Sequence, residues 1–337
     1  MAENKNDVKE MVGGHKLTFK SFLLNYNAVV ILIALIIVAC IISPLFAQPE
    51  NINTLLKQQS VYLVIAMGML MVIITAGIDL AAAGTVALSG IVMTIASTTG
   101  HMPTFVCILI AVAMGALVGL FNGFFIAKLK MPSFIVTLAF TYIAQGICFM
   151  LTNGNTLLLS KDEPIYTDLV NPGFATLSIG NIFPIMAIFA IVIVIIFFLI
   201  MKYMKFGRLV YAVGSNETAV QMAGINSRNI IFKVWFLHGI LCGIAGFMIT
   251  SRVGNASALN ATNDYALSTV AAVVIGGASL AGGEGNVPMT VVGVFVIAVI
   301  GNIMNLIGLA SYPQMIVKGA VIIFAVILKS VSSKSQE

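Results

Sequence analysis

The sequence predicts an all-α polytopic membrane protein with about ten transmembrane helices, one or two of them short or re-entrant. Three observations predict it. Of 337 residues, 60 % are hydrophobic and only 9 % charged, against about 45–50 % and about 25 % in soluble domains. The apolar residues gather into runs of spanning length, and the basic residues cluster at alternate ends of those runs. About 202 apolar residues, at roughly 20 per span, allow about ten spans with little left over. A soluble enzyme, a nucleic-acid-binding domain and a disordered chain are excluded, and the medium this chain requires is a lipid bilayer.

The runs follow one another in order. A polar, charged N-terminal tail (residues 1–26), without an evident cleavable signal, leads into an apolar run over 28–47, closed by Gln48-Pro49-Glu50. Further runs lie at 60–77, 82–98, 103–126, 132–152, 182–201, 230–250, 266–280, 287–308 and 312–331. In lipid each must be helical, because every backbone N–H and C=O has to be satisfied within its segment. Two runs differ in kind. Segments 82–98 and 266–280 are short and rich in Ala, Gly, Ser and Thr, which suits a place inside the bundle or a re-entrant segment. Their matching positions in the two halves of the chain suggest pseudo-symmetric halves, as in transporters built from inverted repeats.

Basic residues orient the bundle. Ten spans with an inside N-terminus put Lys5, Lys9, Lys16, Lys20, Lys128, Lys130, Lys202, Lys205, Arg208, Arg228, Lys233, Lys329 and Lys334 inside. The outside then holds only Lys57, Lys161 and Arg252, with Lys318 within the last span. Cytoplasmic flanks retain Lys and Arg, so both termini are expected in the cytoplasm. The chain then reads as a single membrane domain over 1–337 with two sizeable loops. Residues 153–181 face outward, nearly balanced in charge, and residues 202–229 form a basic cytoplasmic loop.

The interior lacks the usual marks of ion coupling or catalysis. No carboxylate lies in the middle of a span, and Asp79 and Asp264 sit at the ends of apolar runs. His238 reads as an interior hydrogen-bonder, and Lys318 can snorkel. Cys40, Cys107, Cys148 and Cys242 lie in apolar runs without metal-ligand spacing, so no metal is expected. A membrane serine protease would need His238 paired with Ser89 or Ser279, and small residues beside glycines are ordinary helix-packing residues. There is no P-loop, so ATP cannot be bound by that motif.

One stretch points to a partner. From Phe206 to Asn226, Ser215 or Asn216 offers an N-cap, Glu217 suits a helix start and Gly224 a left-handed stop. The spacing predicts a helix over 216–223, too short to span and marginal alone, exposing Ala219, Val220, Met222 and Ala223. Either it docks on another protein or it lies against the underside of its own bundle.

Three stretches then resemble the permease subunits of bacterial ABC sugar importers of the ribose, galactose and xylose class. They are Gly77-Ile78-Asp79-Leu80 with Ala87-Leu88-Ser89-Gly90, the 207–226 loop with Tyr211-Ala212-Val213-Gly214, and Gly276-Gly277-Ala278-Ser279-Leu280-Ala281-Gly282-Gly283. Pro132-Ser133-Phe134-Ile135 and Lys318-Gly319 are smaller matches. The resemblance implies a bacterial inner-membrane permease for a monosaccharide or related small polar solute, driven by ATP on a separate subunit. It implies no cofactor on this chain, with ATP and Mg on that partner. It also implies an external solute-binding protein meeting residues 153–181, and a second permease chain. In that family the cytoplasmic loop couples to the ATPase, which assigns this role to Gly214, Ser215, Asn216, Glu217, Ala219, Met222, Gly224 and Ile225. The two small-residue segments suggest a solute path past Asp79, Ser89, Phe140, Tyr142, Gly276, Gly277 and Ser279.

The sequence also departs from the family pattern. Ala81 stands where a Ser is usual, and Tyr265-Ala266-Leu267-Ser268 replaces a usual Tyr-Glu-Leu-Asp, so both carboxylates are gone. An ion-coupled secondary transporter is the alternative reading.

Overall fold

The computed structural model describes residues 27–180, 182–262, 265–310, 312–321 and 323. The N-terminal tail, Asp264, Lys329 and Lys334 lie outside the described residues. Helix α1 (Asn27–Ile42) stops before Pro44, where the chain makes one tight turn, Pro44–Ala47. Helix α2 (Pro49–Ile74) starts well before the expected residue 60. Pro49 occupies its first turn and Glu50 faces the positive end, both favourable there. Polar side chains in this extension find partners: Asn51 and Asn302 exchange amide hydrogen bonds of 3.0 and 2.9 Å.

Next come α3 (Ala82–Thr98), α4 (Thr104–Gly123), which widens into a last turn at Phe124–Lys128, and α5 (Ser133–Thr152). After a long connection, α6 (Ile185–Tyr203) leads into α7 (Lys205–Ser215), α8 (Glu217–Met222) and α9 (Ser227–Val253). Helices α10 (Tyr265–Ile275) and α11 (Val287–Leu306) follow, and residues 312–321 are helical apart from position 311 before them, which is not described.

Among the described residues, six helices are long and apolar enough to cross a membrane: α2, α4 with its widened turn, α5, α6, α9 and α11. Helices α1 and α3 are apolar but shorter. The chain is therefore a multi-pass, predominantly helical membrane protein. The 202–229 loop contains a helix that the sequence reading lacked, α7, whose Tyr211, Val210 and Val213 pack inward. Two small ribbons supplement the helices. Strand β1 (Thr156–Leu158) pairs antiparallel with β4 (Asn255–Ser257), and β2 (Ser178–Ile179) with β3 (Phe183–Pro184). These connections cannot leave backbone groups unpaired where they are covered, so short ladders form.

Glycines set the helix spacing at the centre. On α4 and α9, Gly115 and Gly119 meet Gly239 and Gly243, the small-xxx-small pattern on both partners. A Cβ at Gly119 would lie 2.6 Å from the Trp235 carbonyl, and one at Gly243 would lie 2.7 Å from the Ala111 carbonyl. Helix α9 thus packs closely on α4 and also covers α2 and α3. Helix α2 is buried continuously from Leu63 to Ile74.

The two short segments enter the bundle from opposite ends. The chain leaves α2 at Ile74 and doubles back, so that Asp79, just before α3, reaches His238, eleven residues into α9 and about 16 Å along its axis. Helix α10 begins at mid-depth, where the Tyr265 and Tyr62 rings lie 5.1 Å apart. It then runs toward the end that carries α7 and α8.

Candidate functional site

Three places bring polar chemistry together. The first is the end of the bundle built from α7, α8 and the turn 276–286. Asn216 caps α8, its side-chain oxygen accepting from the Ala219 N–H at 2.9 Å. Gly224, at φ +79°, stops the helix, with the Gly224 N–H on Gln221 O and the Ile225 N–H on Val220 O, a two-bond left-handed cap. The helix is one residue shorter at each end than expected. Val220 packs inward, while Met222 is 79 % exposed and Ile225 is exposed beside it. Ser215 and Ala219 are exposed as well.

Glu217 is occupied internally. Its carboxylate accepts from Ser227 Oγ and Gln221 Nε2, both at 2.8 Å, and Gln221 also reaches Ser227 Oγ at 2.7 Å. This clasp ties α8 to the first turn of α9. Gly214 lies so close to the Ile74 carbonyl and the Gly283 N–H that a side chain there would collide with both. The Gly283 N–H donates to Ile74 O at 2.8 Å, and the Tyr211 hydroxyl donates to Gly285 O at 2.9 Å. Burial pushes the Tyr211 hydroxyl above the usual tyrosine value, so it stays a donor at any physiological pH.

Gly276, Gly277 and Ser279 belong to this end. Gly276 packs against Met289 and Thr290 of α11, and Gly277 takes φ +91°. Ser279 closes a tight turn: its carbonyl accepts from Gly282 N–H, and its own N–H donates to Glu284 O.

The second place is sealed. Asp79 is 2 % exposed and His238 1 %. His238 Nε2 donates to Asp79 Oδ2 at 2.8 Å, and Asp79 Oδ1 accepts from the Ala81 N–H at 2.8 Å. The flanking backbone is held by α5, with the Ile78 N–H on Ser133 Oγ and the Leu80 N–H on Thr137 Oγ1. Cys242 Sγ lies 3.8 Å from His238 Nε2, so three donors with metal-ligand chemistry lie within 4.8 Å of one another. Nε2 is already committed to the carboxylate and solvent does not reach the group, so the geometry serves a hydrogen bond. His238 Nδ1 has no partner and faces Gly68. His238 thus bonds Asp79 and not the serines considered with it. Ser89 is buried against Gly246 of α9 with its hydroxyl unpartnered.

The third place is an open polar cleft, which sequence reasoning missed. One face of each of four segments lines it: Leu55, Gln58, Gln59 and Tyr62 of α2, Ser268, Thr269 and Ala272 of α10, Val294, Ile297, Ala298, Gly301, Asn302 and Asn305 of α11, and Gln314 and Lys318. Within each the residues, some as adjacent pairs, recur every three or four positions, so these side chains share a helix face. Gln314 Nε2 donates to Asn305 Oδ1 and Leu309 O, both at 2.8 Å. The cleft occupies the half of the bundle distant from α7 and α8, with Ala272 and Val294 at its deep end, and its Tyr62 packs on the Tyr265 ring beside it. Phe140 and Tyr142 do not line it. Phe140 stacks on Phe121 at 6.1 Å, and Tyr142 is 68 % exposed on α5. The missed signal was available. Amides recurring at helical spacing within and beside apolar runs mark a wet face as surely as charges do.

A family model described as "Branched-chain amino acid transport system / permease component" matches residues 51–326. The chain is 35 % identical over 324 residues to the ribose import permease protein RbsC of Escherichia coli K12, covering 95 % of this chain and 98 % of that one. It is 31 % identical over 380 residues to the xylose transport system permease protein XylH of Haemophilus influenzae, covering 94 % and 99 %. It is 30 % identical over 333 residues to the galactose/methyl galactoside import permease protein MglC of Escherichia coli K12, covering 94 % and 97 %. No solved structure matches the chain. A bundle of helices of spanning length and near end-to-end alignment with transport permeases agree, and the chain belongs to the family of membrane transport permeases that includes the ribose, xylose and galactose import permeases.

Proposed function

We propose that this chain is the membrane-spanning permease of an ATP-driven, binding-protein-dependent importer of a monosaccharide, and that α8 is where the motor attaches. The observation that carries the docking role is α8 itself. A helix of six residues is unstable alone, yet this one is capped at both ends, clasped to α9 through Glu217, and presents exposed Met222 and Ile225. Such rigidity in an exposed apolar element suits a surface made to receive force from a partner. Asn216, Gly224 and Glu217 shape the helix, Ser215, Ala219, Met222 and Ile225 face the partner, and Gly214 lets α7 seat against the bundle.

Orientation follows from charge. Lys128, Lys130, Lys202, Lys205, Arg208, Arg228 and Lys233 gather at the α7–α8 end, which we place in the cytoplasm by the preference of inner loops for cations. Both termini are then on the cytoplasmic side of the bacterial inner membrane. The ATP-binding subunit carries ATP and Mg, and this chain binds no cofactor and catalyses no reaction. A solute-binding protein meets the opposite end, including residues 153–181, and a second permease chain completes the transporter.

The polar cleft is the favoured solute route. Amides and hydroxyls both donate and accept, which suits the hydroxyls of a neutral sugar. A branched-chain amino acid would require an anionic group for its ammonium and an apolar pocket, and no carboxylate is among the described residues that line the cleft. With the α7–α8 end inside, the cleft faces outward. The earlier path through Asp79, Ser89, Phe140, Tyr142, Gly276, Gly277 and Ser279 is less favoured on this reading.

The test is reconstitution of the complete transporter in vesicles, with nucleotide supplied on the side of α8. Uptake of radiolabelled ribose, xylose or galactose should require ATP and the solute-binding protein. Concentrative uptake by this chain alone, driven by an ion gradient, would overturn the reading in favour of secondary transport. Replacing Gly224 with Val should leave ATP hydrolysis and abolish uptake, because φ +79° is strained for a β-branched residue.

A further inference from the structure

We propose that Asp79 and His238 are positioning residues for transport: a buried rivet through which movement of α9 reaches the start of α3 and, beyond it, the cleft. The inference rests on the coupling role proposed for α8.

Contiguous contacts carry it. At one end, Glu217 of α8 holds Ser227, the first residue of α9, at 2.8 Å. Helix α9 then runs unbroken through 27 residues. Its stiffness delivers any displacement of Ser227 to His238, about 16 Å along the axis. There a side-chain bond joins α9 to the doubled-back segment, His238 Nε2 to Asp79 Oδ2, 2.8 Å long and shielded from water. Asp79 does not hang loosely. Its second oxygen holds the Ala81 N–H, one residue before α3. Helix α3 in turn packs on the turn Ala258–Thr262 that precedes α10, and on α10 itself. Tyr265, the first residue of α10, packs on Tyr62 of α2, and α10 supplies Ser268, Thr269 and Ala272 to the wall of the cleft.

Two features suit a rivet better than an ordinary core contact. First, a carboxylate and an imidazole are costly to bury, and an apolar pair would fill the same space at less cost. Directionality is what the polar pair adds. An apolar contact slides, whereas a short hydrogen bond holds two segments in one register. Second, the imidazole sits over Gly68, where a side chain would collide with Nδ1. Helix α2 thus leaves room for the ring to face Asp79.

The experiment uses the complete transporter in vesicles and reads solute taken up per ATP hydrolysed, with whichever of ribose, xylose or galactose the unmodified complex transports. In Asp79→Ala the ratio should fall by about tenfold, the factor that one hydrogen bond to a charged group supports, while hydrolysis continues. Asp79→Asn can keep both contacts, its oxygen accepting from the Ala81 N–H and its amide N–H donating to His238 Nε2 when the imidazole carries its proton on Nδ1, and should restore the ratio. Where Asp79→Ala does not assemble, His238→Leu provides the same reading. An unchanged ratio in an assembled variant overturns the proposal, as does an Asn variant no better than Ala. Failure of both Ala and Leu variants to assemble overturns it too, since the pair would then serve folding alone. A wild-type complex without nucleotide-driven uptake would instead sink the permease reading, so the two failures are distinct.

Discussion

The sealed pair and the open cleft are two polar places in one apolar bundle, and they solve opposite problems. Asp79 and His238 bring a carboxylate and an imidazole into the interior and bond them to each other, with water excluded and His238 Nδ1 left without a partner. The cleft brings dipoles only, apart from Lys318, and leaves them reachable from one end. A charged group at depth must be matched by a fixed partner, and a fixed partner cannot be exchanged for a passing solute. Neutral amides can release one another at small cost, because their alternative partner is water or a hydroxyl. The difference separates holding from handling: the pair fixes segments, and the cleft accepts cargo.

The largest effect should come from breaking the pair. His238→Ala leaves the Asp79 carboxylate buried with only the Ala81 N–H, and losing one member of a buried pair costs about 3–5 kcal/mol. Thermal unfolding of the purified transporter should show that loss as a clearly lowered midpoint. A midpoint close to that of the unmodified protein would mean that water already reaches Asp79, and the contrast with the cleft would break.

Next comes Gly68→Ala. One methyl group would meet His238 Nδ1, and overpacking of this kind costs about 1–3 kcal/mol. The loss should shrink when Gly68→Ala is combined with His238→Ala, because the clash then has no ring to meet. Additive losses would show that the methyl group collides elsewhere.

The sequence disclosed these two places unequally, for a physical reason. Long apolar runs are written by the solvent, so α1, α3 to α6 and α9 to α11 each lie in an apolar run to within about five residues, whereas α2 starts eleven residues ahead of its run. Local chemistry fixed α8 even more closely, since Asn216 and Gly224 act on neighbours in the chain. Helix α7 was missed because its stripe, Val210, Val213 and Tyr211, is short and interrupted by Gly207 and Gly214. Asp79 and His238 are 159 positions apart, and no local rule brings them together. The early start of α2 escaped because Asn51, Asn53, Lys57, Gln58 and Gln59 look like a loop until Asn302 and the cleft give them a face. Wet interiors hide in this way: residues that seem to end a span are the ones that line its path.

The smallest effect on stability, and the sharpest for the comparison, should come from the cleft. Gln314→Leu removes the donor to Asn305 Oδ1 and Leu309 O. Both acceptors lie beside a cleft that water enters, so each can be rehydrated, and the stability change should stay within about 1 kcal/mol. Transport should respond differently. A leucine at that position offers a sugar hydroxyl neither donor nor acceptor, so the solute concentration for half-maximal uptake should rise by about tenfold, one hydrogen bond's worth. Hydrolysis per transporter should change little, because α8 and the α9 rivet are untouched. Uptake kinetics and thermal melts on the same preparation would measure both. Should Gln314→Leu destabilise the protein as strongly as His238→Ala while leaving uptake intact, the amides would be structural mortar, and the solute would have to pass elsewhere.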